Sequence, residues 1–305
     1  MSRTFAALHH GRDLFVLPNA WDVASALLLA DAGFPAIATT SLGVSAAGGV
    51  PDGTGAGWEL TLDLVRALAG RLDVPVTVDL EGGHADDPDQ VAALAVQLAE
   101  LGVAGVNLED GRPDGTLRPA AEHAAVIAAV ASAAPDMFIN ARTDTYWLGV
   151  GVEAKRLADT VQRLLTYRAA GAAGAFVPGL TDLATMAAIT AAVALPLNVL
   201  WQPGVDLGLL AASGVRRIST GSALYRHALA AGLGAAAAAA ASAVPMTTAV
   251  DLNDLQQRLG RADPTSGRRH VAGSGDGRPG TGGDARVGSD AAACPPSGTG
   301  PGPQG

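Results

Sequence analysis

Short runs rich in Val, Ile, Leu and Ala recur along the chain and alternate with longer segments of helical periodicity. Runs of this kind, bounded by polar or glycine-containing segments, are typical of strands that are covered on both faces. The pattern predicts eight strands, at Leu14–Leu17, Ala36–Thr40, Val74–Leu80, Ala104–Leu108, Met137–Ala141, Ala175–Val177, Leu195–Leu200 and Arg217–Thr220.

The segments between these strands place apolar residues at the spacing of an α-helix. Several of them end in a glycine just before the next strand, and a glycine in that position commonly stops a helix. These glycines are Gly33, Gly102, Gly171 and Gly214. The pattern predicts helices at Trp21–Ala32, Leu60–Arg71, Pro88–Leu101, Ala120–Ala133, Val152–Ala170, Thr181–Ala192, Val205–Ala212 and Ser222–Ala241.

Each predicted strand is followed by a helix, and eight such units fit a (β/α)8 barrel, which typically needs about 250 residues. A doubly wound open sheet is the alternative, but it usually has fewer strands, and a dinucleotide-binding one has a glycine-rich turn after the first strand. This chain has Pro-Asn-Ala-Trp-Asp there. We therefore predict an α/β, TIM-type barrel over residues 1–246. A C-terminal helical segment follows over 247–260, and the Gly/Pro-rich tail over 261–305 should be disordered.

The composition excludes several classes of protein. The 305 residues are 49% hydrophobic with a formal net charge of -9, so no basic surface is available for nucleic acid. The single cysteine, Cys294, lies in the tail, which excludes a disulfide framework and a catalytic thiol in the barrel. The first residues lack the apolar run of a signal peptide, and the alanine-rich stretch near residues 228–246 is weakly hydrophobic for a membrane span. We expect a cytoplasmic protein without a membrane partner.

Carboxylates concentrate where the third and fourth predicted strands end, which is the edge of a barrel where catalytic residues lie. Asp79 and Glu81 are two residues apart and share a face of a continuing strand, and Glu109 follows the neighbouring strand. Like charges this close need a cation, and oxygen ligands without cysteine favour Mg²⁺ or Mn²⁺ over zinc. Asp86 and Asp87, directly before Pro88, are instead expected to cap the next helix.

Arg142 follows the fifth predicted strand at the same edge. A buried guanidinium there could pair with one of the carboxylates, or it could bind a substrate carboxylate or phosphate through two hydrogen bonds. Both alternatives are open at this point. The histidines lack the spacing of metal ligands, and His84, just beyond Glu81, is the one nearest to the predicted site.

Four motifs occur in order along the predicted barrel and together resemble the isocitrate lyase / phosphoenolpyruvate mutase superfamily. They are the stretch Pro18–Asp52, which contains PNAWDVASALLLADAGF, then VTVDLEGGH at 76–84, GVAGVNLEDG at 102–111 and FINARTD at 138–144. The resemblance extends from about Leu17 to about Met246.

The resemblance implies that Asp52, Asp79, Glu81 and Glu109 hold Mg²⁺, some directly and some through water. It also implies that the segment Thr40-Ser41-Leu42 and Arg142 bind a carboxylate of the substrate. We expect Arg142 and Glu109 to be the catalytic residues. The shared chemistry would be cleavage of a C–C or P–C bond next to a carbonyl, through an enolate. The last helical segment would pack on a neighbouring subunit of a dimer or tetramer.

The chain departs from two branches of that superfamily. The lyase branch has a cysteine-containing loop after the fourth strand, where this chain has EDGRPDGTLRPAAEH. The mutase branch has a longer gating loop there and a His-Ser pair after the sixth strand, where this chain has Pro178-Gly179. The general acid is therefore unidentified. We predict an oxaloacetate-decarboxylase-like lyase acting on a small 2-oxo or 2-hydroxy dicarboxylate. The alternatives are a phosphonopyruvate-type mutase or hydrolase, and a barrel that binds an oxo acid without catalysis.

Overall fold

The computed structural model describes residues 2–11, 13–241, 250 and 258–259, with the side chains of residues 2 and 3 left aside. In these residues a single sheet contains nine parallel strands. The strands are β1 (Phe15–Leu17), β2 (Asn19–Ala20), β3 (Ile37–Thr39), β4 (Val76–Asp79), β5 (Gly105–Glu109), β6 (Phe138–Arg142), β7 (Gly174–Phe176), β8 (Leu197–Leu200) and β9 (Val215–Ser219).

The first predicted strand, Leu14–Leu17, corresponds to β1, and Pro18 separates it from the short strand β2, which was not predicted. The barrel closes here, because β1 pairs with β9 while β2 pairs with β3. Asn19 stabilises this junction, because its backbone amide donates to Oγ1 of Thr220 at 2.9 Å and its Oδ1 accepts from the amide of Gly221 at 2.9 Å. The predicted (β/α)8 barrel is confirmed, and the ninth strand is a consequence of the break at Pro18, which has no amide hydrogen to donate.

Helices alternate with the strands and cover the barrel. They are α1 (Ser2–His10), α2 (Val23–Asp31), α3 (Ser41–Ala47), α4 (Trp58–Leu68), α5 (Pro88–Glu100), α6 (Ala120–Ala133), α7 (Glu153–Ala169), α8 (Leu183–Val193), α9 (Leu207–Ala212) and α10 (Ala223–Ala240). The eight predicted helices correspond to α2 and to α4 through α10. The sequence analysis did not predict α1 and α3. As expected, Asp87 caps α5 by accepting a hydrogen bond from the amide of Asp89, with Pro88 in the first turn.

The helix α1 packs against the amino-terminal ends of the strands. Phe5 is fully buried there, and its ring lies edge-on to Phe138 at 5.5 Å between centroids. His9 stacks on Phe138 at 4.0 Å. Burial is the main reason that the pKa of His9 falls to about 3. The barrel is therefore closed by apolar and aromatic side chains at the end opposite to the strand ends where chemistry was predicted.

A polar network occupies the barrel interior. Arg217 on β9 is fully buried, and its Nη2 donates to Oδ1 of Asn107 at 3.0 Å. Nδ2 of Asn140 donates to the same oxygen at 2.9 Å, and Nε of Arg217 donates to Ser219 at 3.0 Å. Burial lowers the pKa of Arg217 to about 9, while Asp79 acts in the opposite direction. In the sheet Asn107 lies beside Asp79, so this network lies next to the predicted site.

Two predicted regions fall largely outside the described residues. Of the C-terminal helical segment 247–260, residues 250, 258 and 259 are described. Leu259 packs against the apolar cluster that includes Leu64 and Leu68, and Arg258 forms an ion pair with Asp31. The predicted tail 261–305 lies outside the described residues. Within the described part, none of the helices is both long and apolar enough to span a membrane.

Candidate active site

The carboxyl ends of β4, β5 and β6 open on one cavity of about 670 Å³. The strands are parallel, so these ends lie together on one rim of the barrel. Charged side chains dominate the wall of the cavity. Its acidic residues are Asp52, Glu81, Asp86, Glu109, Asp114 and Asp144, and its basic side chains include Arg112, Arg118 and Arg142.

Asp79 is the last residue of β4 and has one engaged and one free carboxylate oxygen. Its Oδ2 accepts a hydrogen bond from Oγ of Ser41 at 3.0 Å and a longer one from the Ser41 amide at 3.4 Å. Its Oδ1 is buried and has no hydrogen-bond partner. Because a buried carboxylate oxygen without a partner is costly, this atom is the clearest candidate for a metal ligand at the strand ends.

Glu81 and Asp52 surround Asp79 with further negative charge. The backbone of Glu81 is left-handed, with φ of 50°, which is uncommon for a residue other than glycine. Burial, followed by the charges of Asp79 and Asp52, raises the pKa of Glu81 to about 7. Burial and the charge of Asp79 also raise the pKa of Asp52, although its side chain is open to the solvent. The side chains thus leave an excess of negative charge at this point.

Arg142 at the end of β6 forms a compact ionic group with two carboxylates. It lies opposite Glu109 in the parallel register, and its Nη1 is 2.5 Å from Oε2 of Glu109. Its Nε and Nη2 donate to the two oxygens of Asp144 at 2.7 and 3.0 Å. Burial opposes the charge of Arg142, but the two carboxylates outweigh it and raise the pKa of the guanidinium. Of its five N–H groups, three are engaged, which leaves one on each terminal nitrogen.

Glu109 is influenced by the same neighbours. Burial raises the pKa of its carboxyl above the ordinary value, Arg142 acts against this, and the charges of Asp144, Asp79 and Glu81 add to the rise. Glu109 is thus coupled electrostatically both to Asp79 and Glu81 and to Arg142 and Asp144. These five residues form one acidic site on the rim.

Asp110 is a buried hub that orients the residues around it. Its Oδ2 accepts hydrogen bonds from Thr143 at 2.8 Å and from the Tyr167 hydroxyl at 2.7 Å, and it pairs with Arg163 at 3.2 Å. Its Oδ1 accepts from the backbone amide of Asp144 at 2.9 Å. Asp110 is fully buried and does not line the cavity, so we assign it a structural role in holding Asp144 against Arg142.

The segment after β5 forms a tight hairpin rather than an extended loop. An isolated bridge joins Gly111 to Leu117, and the amide of Arg112 donates to the carbonyl of Thr116 at 2.9 Å. Asp114 accepts hydrogen bonds from the amide and hydroxyl of Thr116 at 2.9 and 2.6 Å. This hairpin is the point at which the sequence departs from the lyase and mutase branches, and it contributes Arg112 and Arg118 to the cavity wall.

His84 lies on the cavity wall with a left-handed backbone, φ 54°. Its ring contacts Trp58 at 5.3 Å between centroids, and its Nδ1 is buried without a hydrogen-bond partner. Burial lowers the pKa of His84, and Asp79 partly opposes this shift. Burial therefore disfavours the charged form of this imidazole, which lies on the wall of the acidic cavity.

The structure brings most of the predicted site residues together. Asp52, Glu81, Glu109 and Arg142 line the cavity. Asp79 is not among the lining residues, but its charge acts on Glu81 and Glu109. Ser41 contacts Asp79 directly. Thr40 caps α3, with its Oγ1 accepting from the amide of Gly43 at 3.5 Å, and Leu42 lies in the first turn of that helix. The segment 40–42 thus lies beside Asp79 rather than on the cavity wall. The sequence analysis missed Asp144 and Arg118.

The residues present fit a divalent cation. The free Oδ1 of Asp79 and the surplus of negative charge around it supply the hard oxygen donors that Mg²⁺ prefers. Within the described residues, no group of three Asp, Glu, His or Cys side chains is arranged to hold a metal ion by itself. The arrangement therefore fits an ion bound by one or two carboxylates, with water and substrate completing its coordination, as is usual for Mg²⁺.

Comparisons with known proteins assign this barrel to a family. The family model described as phosphoenolpyruvate phosphomutase matches residues 5–241. An uncharacterized protein of Mycobacterium tuberculosis H37Rv is 43% identical over 257 residues, which are 84% of this chain and 96% of that protein. A crystal structure of a candidate phosphonomutase from Burkholderia cenocepacia J2315 is 40% identical with a TM-score of 0.73, covering 77% of this chain and 98% of the other. The chain belongs to the phosphoenolpyruvate phosphomutase family, within the PEP mutase/isocitrate lyase superfamily of lyases and mutases.

Relatives with named activities include a lyase and a decarboxylase. The 2-methylisocitrate lyase of Bacillus subtilis is 35% identical over 152 residues, which are 46% of this chain and 49% of that enzyme. An oxaloacetate decarboxylase of Pseudomonas savastanoi pv. phaseolicola is 28% identical over 247 residues, which are 76% of this chain and 82% of that enzyme. The predicted superfamily, and the prediction of an enzyme belonging to it, are confirmed by these relatives.

Proposed function

We propose that the protein is a Mg²⁺-dependent lyase that cleaves a C–C bond in a small 2-oxo or 2-hydroxy dicarboxylate, with oxaloacetate as the first substrate to test. The observation that supports this most strongly is the acidic site itself. A free carboxylate oxygen of Asp79 lies beside Glu81, and the Glu109–Arg142 pair lies on the same rim. The relationship to an oxaloacetate decarboxylase supports the choice of substrate.

Asp79 would bind the ion directly, and Asp52, Glu81 and Glu109 would support it, in part through water. Mg²⁺, when bound, supplies a Lewis acid that stabilises negative charge developing on the 2-oxo oxygen. Mn²⁺ has similar ligand preferences and could replace it. Burial and neighbouring carboxylates raise the pKa values of Glu81 and Asp52, and a bound cation would act in the opposite direction and favour the ionised carboxylates.

The chain's own residues would bind and orient the substrate. The resemblance to the superfamily suggests that the segment Thr40-Ser41-Leu42, which lies beside Asp79, would hold one carboxylate of the substrate. The Ser41 hydroxyl and amide, which donate to Asp79 in this structure, would have to be shared with that carboxylate. Arg142 would donate its two remaining N–H groups to a carboxylate of the substrate. Asp144 and Glu109 fix the orientation of its guanidinium. Glu109 therefore acts on the reaction by positioning Arg142 as well as by supporting the ion.

In oxaloacetate, the bond between C3 and C4 would break and carbon dioxide would leave. The electron pair of this bond would pass into the enolate of pyruvate, and a proton delivered by water to C3 would complete the reaction. This sequence needs no thiol, which agrees with the absence of cysteine before Cys294. It also needs no dedicated general acid in the loop after β5.

Phosphonate chemistry is the second candidate, because the matching family model is that of a phosphomutase. We rank it second because of the residues that follow β7. Gly179 follows β7 with φ of 78°, and a Cβ there would lie 3.1 Å from the backbone of Trp147. The position at which the mutase branch has a polar side chain thus has space for little more than glycine.

We also propose that the protein forms a homo-oligomer, a dimer or a tetramer. The helix α10 exposes Leu229 and Leu233, with 51% and 73% of their surface accessible, and such apolar exposure favours a contact with another subunit. Light scattering tests this proposal, because one chain has a mass of 30.3 kDa.

The deciding experiment follows pyruvate release from oxaloacetate with Mg²⁺ and with chelator. Oxaloacetate also decarboxylates without enzyme, so the Asp79→Ala protein at the same Mg²⁺ concentration is the blank. Alkyl-substituted oxaloacetates, methylisocitrate, dimethylmalate and phosphonopyruvate are assayed in parallel. Turnover of oxaloacetate above the blank supports the decarboxylase, and turnover of phosphonopyruvate alone supports the second candidate. Binding of these compounds without any turnover would make the protein a non-catalytic oxo-acid-binding barrel.

A further inference from the structure

The hairpin after β5 holds Arg118 in a fixed place on the cavity wall. The backbone amide of Arg118 donates to the carbonyl of Asp110 at 2.7 Å. Its own carbonyl accepts from Nη1 of Arg163 at 3.0 Å. Both contacts lead back to the buried Asp110 hub, so the start of the side chain has little freedom to move.

The guanidinium of Arg118 is buried with little compensation for its charge. Its side chain is only 10% exposed, and its Nη1 is buried without a hydrogen-bond partner. Nη2 donates to the carbonyl of Ala85 at 3.3 Å and approaches Asp86 at 3.4 Å. The Asp86 side chain is fully exposed, and an ion pair with a solvated partner at this distance contributes little. A buried guanidinium with so few hydrogen bonds and no buried carboxylate beside it is well suited to bind an anion.

The other two arginines of the cavity differ in this respect. Arg142 is neutralised by Glu109 and Asp144 at 2.5 and 2.7 Å. The Arg112 side chain is 37% exposed, so water can solvate its charge, and it pairs with Glu122 at 3.2 Å. Arg118 is therefore the guanidinium on the cavity wall best prepared to accept an added negative charge.

We propose that Arg118 binds the second carboxylate of a dicarboxylate substrate and so selects dicarboxylates over monocarboxylates. This inference rests on the proposed function, in which the first carboxylate and the 2-oxygen lie near Asp79. Asp52, Glu81, Glu109 and Asp144 also line the cavity and repel a second negative charge. The hairpin side carries Asp86 and Asp114, but both are exposed to solvent, whereas Arg118 is buried there, so this side is the favourable place for a second carboxylate.

The test compares malate with lactate, which differ in one carboxylate and share the 2-hydroxy acid group. Calorimetric titration of each separate enantiomer, at saturating Mg²⁺, gives the ratio of the two dissociation constants for every protein. The proteins are wild type, Arg118→Gln, Arg118→Met, Arg118→Lys and Arg112→Gln. Lactate binding reports whether each variant retains its fold, and Arg112→Gln is the matched control from the same hairpin.

Wild type is expected to bind malate more tightly than lactate. Arg118→Gln and Arg118→Met should weaken malate binding about ten- to hundredfold, the effect of losing one charged hydrogen-bond pair, and leave lactate binding unchanged. Arg118→Lys should retain part of the preference, and Arg112→Gln all of it. A wild-type ratio in both neutral variants, or a wild type that binds lactate as tightly as malate, overturns this inference alone. A wild type that binds neither acid overturns the proposed function with it.

Discussion

A single carboxylate oxygen, Oδ1 of Asp79, connects the geometry of the rim to metal binding. Replacing Asp79 by Asn preserves the shape of the side chain and its contact with Ser41 but removes the negative charge. We expect Asp79→Asn to lose most of the Mg²⁺ binding seen by calorimetric titration, because the amide oxygen stays on the Ser41 donors and the NH2 group takes the Oδ1 position, where it cannot bind a cation.

Asp114→Asn is the matched control for this prediction. Asp114 also lines the cavity, but it is exposed and its carboxylate is engaged with Thr116. Its substitution should leave Mg²⁺ binding unchanged. Equal titration curves for wild type and Asp79→Asn would remove the metal site from this rim.

Arg142 is the second residue whose substitution has a clear expected effect, in this case on catalysis. Arg142→Ala removes the guanidinium that Asp144 and Glu109 hold in place. We expect kcat/KM for oxaloacetate to fall. The loss of transition-state stabilisation should be roughly 2–5 kcal/mol, the effect of losing a charged contact in a closed site. Steady-state kinetics measures this, with Arg112→Ala as an exposed-arginine control. Wild-type kcat/KM in Arg142→Ala would exclude a catalytic role.

Residues at strand ends were predictable, and residues placed by tertiary contacts were not. Asp79 and Glu109 could be predicted because parallel strands end on one rim. Asp144 follows Arg142 by two residues, yet its role depends on the Asp110 hub that fixes its backbone. The role of Arg118 depends on the hairpin that folds back to Asp110. No periodic pattern encodes either contact.

At the scale of elements, a buried histidine connects α6 to β5. Nε2 of His123 lies 3.3 Å from the carbonyl of Leu108, and the ring contacts Tyr167 edge-on at 4.8 Å. Burial, aided by the charges of Arg118 and Arg163, lowers the pKa of His123 to about 3. The folded protein therefore holds this histidine neutral over a pH range in which the unfolded chain binds a proton.

This difference predicts a loss of stability in acid. Below the ordinary histidine pKa of 6.5, the unfolded state takes up a proton that the folded state refuses, until the pH approaches about 3. By about pH 5 the contribution reaches about 2 kcal/mol. We expect the stability advantage of wild type over His123→Gln in urea unfolding to shrink by this amount between about pH 7.5 and about pH 5. A His10→Gln variant, altered at an exposed position, should follow wild type, and a constant advantage would contradict the prediction.

The two helices that the sequence analysis missed show the limits of periodicity. The helix α3 has only 7 residues and begins two residues after β3 ends, so it is too short to show a helical repeat of apolar positions. The helix α1 precedes the first strand and presents two buried residues, Phe5 and His9, which is too few for a clear apolar stripe. Both are stabilised by the barrel rather than by their own sequence.

At the scale of the whole molecule, α1 closes one end of the barrel while the cavity opens at the other. Phe5→Ala should lower the free energy of unfolding by about 3–5 kcal/mol, as expected for a large buried aromatic side chain. Mg²⁺ binding by the folded protein should be unchanged, because Phe5 packs at the amino-terminal ends of the strands. Denaturant unfolding and calorimetry measure the two effects, with the exposed Thr4→Ala as control. A variant with normal stability would show that α1 is dispensable.

The division of the first strand at Pro18 affects how the chain folds as it is synthesised. The strand β1 leaves the ribosome before the other strands, whereas its partner β9 and the anchoring Thr220 follow all of them. Until then the growing sheet keeps open edges, which can pair with other chains. Closure must also bring together residues some two hundred positions apart, which slows folding. An interrupted nascent chain that ends before Val215 would thus be a substrate for chaperones and proteases, because it lacks the strand that completes the barrel.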